Sequence, residues 1–140
     1  MSGLRIHHLA IAARDPESLA AFYERVFELT RRRDANIAAG SVWLSMNSRS
    51  GDDQNGEAIL MLEAASGDAA KAGSASERAN FSTKQPGYHL LAFAVAPEDR
   101  EGWRERLQSA GVVIEHESDY SMYFRDPEGN RIGLSHYPNR

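Results

Sequence analysis

The chain has no cysteine among its 140 residues. That excludes disulfides, thiolate nucleophiles and cysteine-ligated zinc, and it fits a reducing compartment, so a cytoplasmic protein is expected. Long apolar runs are missing too. Nothing approaches the ~18 consecutive apolar residues of a membrane span, and no basic segment followed by an apolar core opens the chain, so no membrane partner is expected. Positive charge is scarce: 16 Lys and Arg stand against 20 Asp and Glu, for a formal charge of -4 and a pI near 5.7. Phosphate binding needs clustered cations, so nucleic acid is excluded as a partner. Arg31-Arg32-Arg33 is the one basic run, too short for an electrostatic footprint, and reads as a solvated strand edge. Walker loop, dinucleotide-binding glycine fingerprint and Gly-x-Ser-x-Gly elbow are all lacking. Asp52 and Asp53 fall in a polar hairpin loop and read as solvating residues rather than a carboxylate pair.

Hydrophobic residues make up 41% of the chain, enough for one compact domain or two small halves sharing a core. From Ile6 to Ala13, bulky Leu9 and Ile11 alternate with His8, Ala10 and Ala12, the period of two of a strand with one large and one small or polar face. Asp15, Pro16 and Glu17 then suit the cap and first turn of a helix. Leu19, Phe22, Tyr23 and Val26 carry that helix to about Phe27 with one face on a sheet. Strands are expected at Leu29 to Ala38, Ser41 to Met46 and Glu57 to Glu63, with a hairpin loop from Asn47 to Gly56. These make one βαβββ unit. Ala64 to Pro86, rich in Ala, Ser and Gly, reads as a linker.

The pattern recurs about eighty residues on. Gly87 to Val95 reads as a strand, and Pro97 to Leu107 as a helix stopped by Gly111. Val112 to His116, Ser121 to Arg125 and Arg131 to Ser135 read as strands, the last two joined by the turn residues Asp126-Pro127-Glu128-Gly129. Two alignments of the halves are open. The gapless one matches His8 to His89; the one that preserves side-chain alternation matches Ala10 and Ala12 to Ala92 and Ala94, and His8 to Leu90. The second is preferred, because a one-residue slip would turn Leu91, Phe93 and Val95 away from the helix they cover, at roughly 1.5–3 kcal/mol per large side chain.

His8-Leu9-Ala10-Ile11 with Asp15 seven residues on, Ala21-Phe22-Tyr23, and Phe124-Arg125-Asp126-Pro127-Glu128-Gly129-Asn130-Arg131-Ile132 resemble the vicinal oxygen chelate superfamily, which holds glyoxalase I, bleomycin-resistance proteins and extradiol dioxygenases. The resemblance implies an α+β fold in which two βαβββ modules form a curved mixed sheet around a cleft. One domain is expected, with modules at about 4–64 and 87–137 and a linker at about 65–86. It also implies a homodimer, with or without module exchange through that linker. In the family one residue from the first and last strand of each module holds a divalent ion. Carried over, those positions are His8, Met61, Leu90 and Gly133, so one of four is intact and Glu63, two residues from Met61 on the same face, could rescue a second.

Two site readings follow. In one, a bulge re-aims His89, and His8, Glu63 and His89 form the two-histidine, one-carboxylate set suited to Zn, Ni, Mn or Fe. The chain is then a metal-dependent lyase, isomerase or dioxygenase with Glu63 as ligand or catalytic base. In the other, no metal binds and Trp43, Met61, Leu90 and Tyr123, with Ser135 beside them, line an apolar cleft that holds a small organic molecule. A partner-binding module without a ligand is a third class. His7, His116 and His136 read as structural, with no partner that the sequence names.

Overall fold

The computed structural model describes residues 4, 6–33, 37–46, 58–67 and 86–139. The expected loop from Asn47 to Gly56, with Asp52 and Asp53, and most of the expected linker lie outside them. The chain divides into two units, Met1–Ala72 and Gly73–Arg140. Each is a βαβββ arrangement around a four-stranded mixed sheet.

The first unit holds β1 (His8–Ala13), α1 (Pro16–Phe27), β2 (Thr30–Arg31), β3 (Val42–Ser45) and β4 (Ile59–Ala64). Strand order is β1-β4-β3-β2, with β1 parallel to β4 and the other pairs antiparallel. The helix has the expected bounds. The Asp15 side chain accepts from Ser18 N at 3.0 Å, and Pro16 occupies the first turn, where its missing N–H costs nothing. Its apolar stripe, Leu19, Phe22, Tyr23, Val26 and Phe27, is buried, with the Phe22 and Tyr23 rings edge to face at 5.3 Å. The stripe packs on the sheet face that carries Val42, Leu44, Leu60 and Leu62, all buried. The helix ends at Glu28 in the left-handed region (φ 56°).

Strand β2 is shorter than expected and is the edge of its sheet. Arg31 is not a freely solvated charge there: it reaches back to α1 and donates to Glu17 (2.8 Å) and Glu24 (2.7 Å). These hydrogen bonds, Glu17 first, hold its guanidinium above the usual arginine range.

The second unit holds β5 (Leu91–Ala94), a 3₁₀ turn (Pro97–Asp99), α2 (Arg100–Ser109), β6 (His116–Glu117), β7 (Ser121–Arg125) and β8 (Arg131–Ser135). Its order, β5-β8-β7-β6, repeats that of the first unit, with β5 parallel to β8. The expected helix from Pro97 is thus two pieces, and α2 runs two residues past Leu107 to the predicted stop. Gly111 adopts φ 76° there, and Val112 N bonds Leu107 O at 2.9 Å. Leu107, Met122, Phe124, Ile132 and Leu134 form the buried core.

From α2, Arg104 forms an ion pair with Glu117 of β6, joined by Arg100 at 3.5 Å. The Arg104 hydrogen bond holds the Glu117 carboxyl below the usual carboxylate range. A lowered carboxyl pKa contributes stability that is complete above the unfolded-state value and is lost as pH falls through the folded one. Glu117→Gln is therefore expected to flatten part of the fall in melting temperature between about pH 5 and pH 3, by a small amount because the pair is solvent-screened. Superimposable acid limbs for the two proteins would refute this role.

Candidate functional site

In each sheet one face packs on core and the other carries most of the candidate site residues, and strand register arranges the second face in rows. In the first unit Ala10, Met61 and Trp43 form one row across β1, β4 and β3. On one side of it lie His8, Ile59 and Ser45, and on the other Ala12, Glu63 and Ser41. In the second unit Ala92, Gly133, Tyr123 and His116 form the corresponding row. Ala94, Ser135 and Ser121 lie on one side, and Leu90, Arg131 and Arg125 on the other. The alternation-preserving alignment of the halves is the one these rows display: Ala10 matches Ala92, Ala12 matches Ala94, Trp43 matches Tyr123 and Ser41 matches Ser121.

The structure thus brings Trp43 and Met61 together on one face, and Leu90, Tyr123 and Ser135 on the other unit's face. A Cβ at Gly133 would lie 3.1 Å from Tyr123 Cδ1 and 3.2 Å from Leu90 Cδ1. Leu90 therefore faces Tyr123 across Gly133, and a side chain at 133 would need both to give by a few tenths of an ångström. Tyr123 is also stacked on His116, with centroids 6.0 Å apart and planes 24° apart. Ser121 and Ser135 share a hydroxyl hydrogen bond of 2.8 Å.

The polar candidates are engaged or spread out. His8 pairs with Ile59 while Glu63 pairs with Ala12, four residues further along, or about 13 Å at the ~3.3 Å rise of a strand. The Glu63 carboxylate accepts the hydroxyl of Ser41 across the β3–β4 pair. His8 and His7 face each other through their Nδ1 atoms at 2.9 Å, so one ring donates and the other accepts. Regular pairing of β5 begins only at Leu91, and just before it the His89 ring lies against Arg131, whose Nη1 is 2.7 Å from Nδ1 and 3.0 Å from Nε2. Arginine can only donate, so the nitrogen it meets presents a lone pair to a fixed positive charge.

The four positions at which the family resemblance puts metal ligands therefore offer one imidazole, one thioether, one hydrocarbon and a glycine with no side chain. That set does not fit a divalent ion, which takes three or more imidazole, carboxylate or thiolate donors. Among the described residues no three His, Asp or Glu side chains come together as a metal cluster.

Sequence reading did not reveal the surroundings of three groups. Trp43 Nε1 is buried and has no hydrogen-bond partner among the described residues, a condition that costs roughly 1–3 kcal/mol. Arg131, the partner of His89, lies 42 positions away from it. His136 is buried between Arg100 Nη1 (3.0 Å, to Nε2) and the Asn139 carbonyl (2.5 Å, to Nδ1), so Nδ1 carries the hydrogen and Nε2 accepts.

The repeated βαβββ units and this motif content match a family model. Residues 5–134 fit the Glyoxalase/Bleomycin resistance protein/Dioxygenase superfamily, and the chain belongs to it. Among particular relatives, the metallothiol transferase FosB of Bacillus licheniformis is 25% identical over 94% of this chain and 74% of its own length. A glyoxalase/dioxygenase structure from Nostoc punctiforme shares the fold with TM-score 0.72 at 18% identity, over 96% of this chain and 92% of that one. The fosfomycin resistance protein FosX from Listeria monocytogenes, solved with Mn(II) and sulfate, shares it with TM-score 0.61 at 18% identity, over 97% and 90%. No helix among the described residues is long and apolar enough to cross a membrane.

Proposed function

We propose that this protein binds a small organic molecule against the open faces of its sheets and does so without a divalent metal, in the manner of a bleomycin-resistance-like member of its family. Trp43, Met61, Leu90, Tyr123 and Ser135 are the ligand-facing residues, and His8 and Glu63 are polar groups at the margin. The observation that carries this reading is the packing of Tyr123 and Leu90 about Gly133, which puts an apolar, aromatic surface where the family resemblance places a ligating side chain. The reading includes a cytoplasmic homodimer of a single-domain chain, with modules at about 4–64 and 87–137. A monomer by light scattering would remove the dimer from it.

The rival reading, a metal-dependent lyase, isomerase or dioxygenase using His8, Glu63 and His89, keeps one observation in its favour: His8 is on the open face at the position where the family resemblance carries a histidine. Thermal unfolding separates the two. A metal at 100 times its Kd stabilises a fold by about 2.7 kcal/mol. Chelator-treated protein is expected to show no rise in melting temperature with Zn, Ni, Mn or Fe(II), and a rise of several degrees that His8→Ala abolishes would establish the rival.

A further inference from the structure

One atom on the first unit's open face is left without a partner. Trp43 Nε1 is a donor only, it is buried, and nothing among the described residues bonds to it. Trp43 shares a row with Met61 and Ala10, so its neighbours along that row are an unbranched thioether that can swing aside and then a methyl group that leaves the sheet surface low. The next row on the same face holds Glu63, whose carboxylate accepts from Ser41.

We infer that Trp43 is the specificity-determining residue of the proposed site, donating its indole N–H to a neutral acceptor oxygen on a flat apolar ligand that displaces the Met61 side chain. The inference rests on the small-molecule reading above and deepens it by naming the ligand class: an aromatic ketone or amide rather than a carboxylate, phosphate or phosphonate. A buried donor selects ligands that carry an acceptor, because a matched hydrocarbon leaves the donor as orphaned as before. Glu63 selects against an anionic acceptor, because a second negative charge beside a half-buried carboxylate is disfavoured. The ring of Trp43 supplies the stacking surface and its edge supplies the hydrogen bond, so one residue reads both shape and polarity.

The chain has two tryptophans, and the other, Trp103, lies on α2. In uniformly ¹⁵N-labelled full-length protein, Trp103→Phe assigns the two indole cross-peaks. Three probes of one shape are then titrated: 2-acetylnaphthalene, 2-ethylnaphthalene and 2-naphthoate. The ketone is expected to move the Trp43 indole peak saturably and to bind at least about 5-fold tighter than either of the others, the size of one net hydrogen bond. Trp43→Phe is expected to lower ketone affinity to that of the hydrocarbon while leaving the hydrocarbon within about 2-fold. The wild-type series is decisive even if that variant does not fold. Binding of all three probes without preference, or preference for naphthoate, overturns the inference and leaves the small-molecule reading standing. Absence of any saturable shift at Trp43, Met61, Leu90 or Tyr123 overturns both.

Discussion

Phe124→Ala is expected to be among the most destabilising single changes in the second unit, at roughly 3–5 kcal/mol. Phe124 has no exposed surface, and its strand, β7, pairs with β8 so that Phe124 stands opposite Ile132, itself fully buried. Removing the ring loses its transfer energy and leaves a cavity on the buried face of a sheet whose strands are held in place by their ladder, so the site collapses only partly to fill it. Chemical denaturation measures the effect as a lower midpoint at unchanged slope. Phe124→Leu, which keeps most of the volume, is expected to cost less than half as much. A midpoint shift under about 0.5 kcal/mol for the alanine variant would show that this face is not core.

Asp126→Ala is expected to follow, at roughly 2–4 kcal/mol. Asp126 is only 3% exposed, and its Oδ1 accepts the backbone N–H groups of Glu128 (3.0 Å) and Asn130 (2.9 Å), while the Asn130 side-chain amide reaches both oxygens. The backbone closes the same turn through Gly129 N to Asp126 O (2.9 Å), with Gly129 at φ 82°. Alanine would strand two backbone donors at once. Asp126→Asn keeps an acceptor oxygen, so its loss in the same denaturation experiment is expected to be under half that of alanine. Equal losses for the two would mean that the charge of Asp126, rather than its hydrogen bonding, sustains the turn.

Local chemistry was legible in the sequence where it decides a structure unaided. Asp15 and Pro16 fix the start of α1, and its apolar stripe fixes the buried face. The Asp126 to Gly129 turn fixes the lengths of β7 and β8 to the residue. Side-chain alternation alone was enough to choose Leu90 over His89 as the counterpart of His8. Features that depend on residues far apart in the chain were not legible. Arg31 read as a solvated charge because its partners, Glu17 and Glu24, come within reach only once α1 lies across the sheet. Ser41 meets Glu63 only through the β3–β4 register, which period-two patterning does not specify. The direction of His89 was unreadable because it stands outside the paired strand and is settled by Arg131. The unpartnered Nε1 of Trp43 has no sequence signal at all.

Some glycine codons stand one base from a glutamate codon, so a carboxylate at position 133 is a short mutational step. Its cost is set by neighbours rather than by the backbone. A Cβ there would lie 3.1–3.2 Å from Tyr123 and Leu90, so both side chains would have to give by a few tenths of an ångström. The tolerance of position 133 for a side chain is thus a measure of the slack in the second unit's open face, read at a single carbon atom.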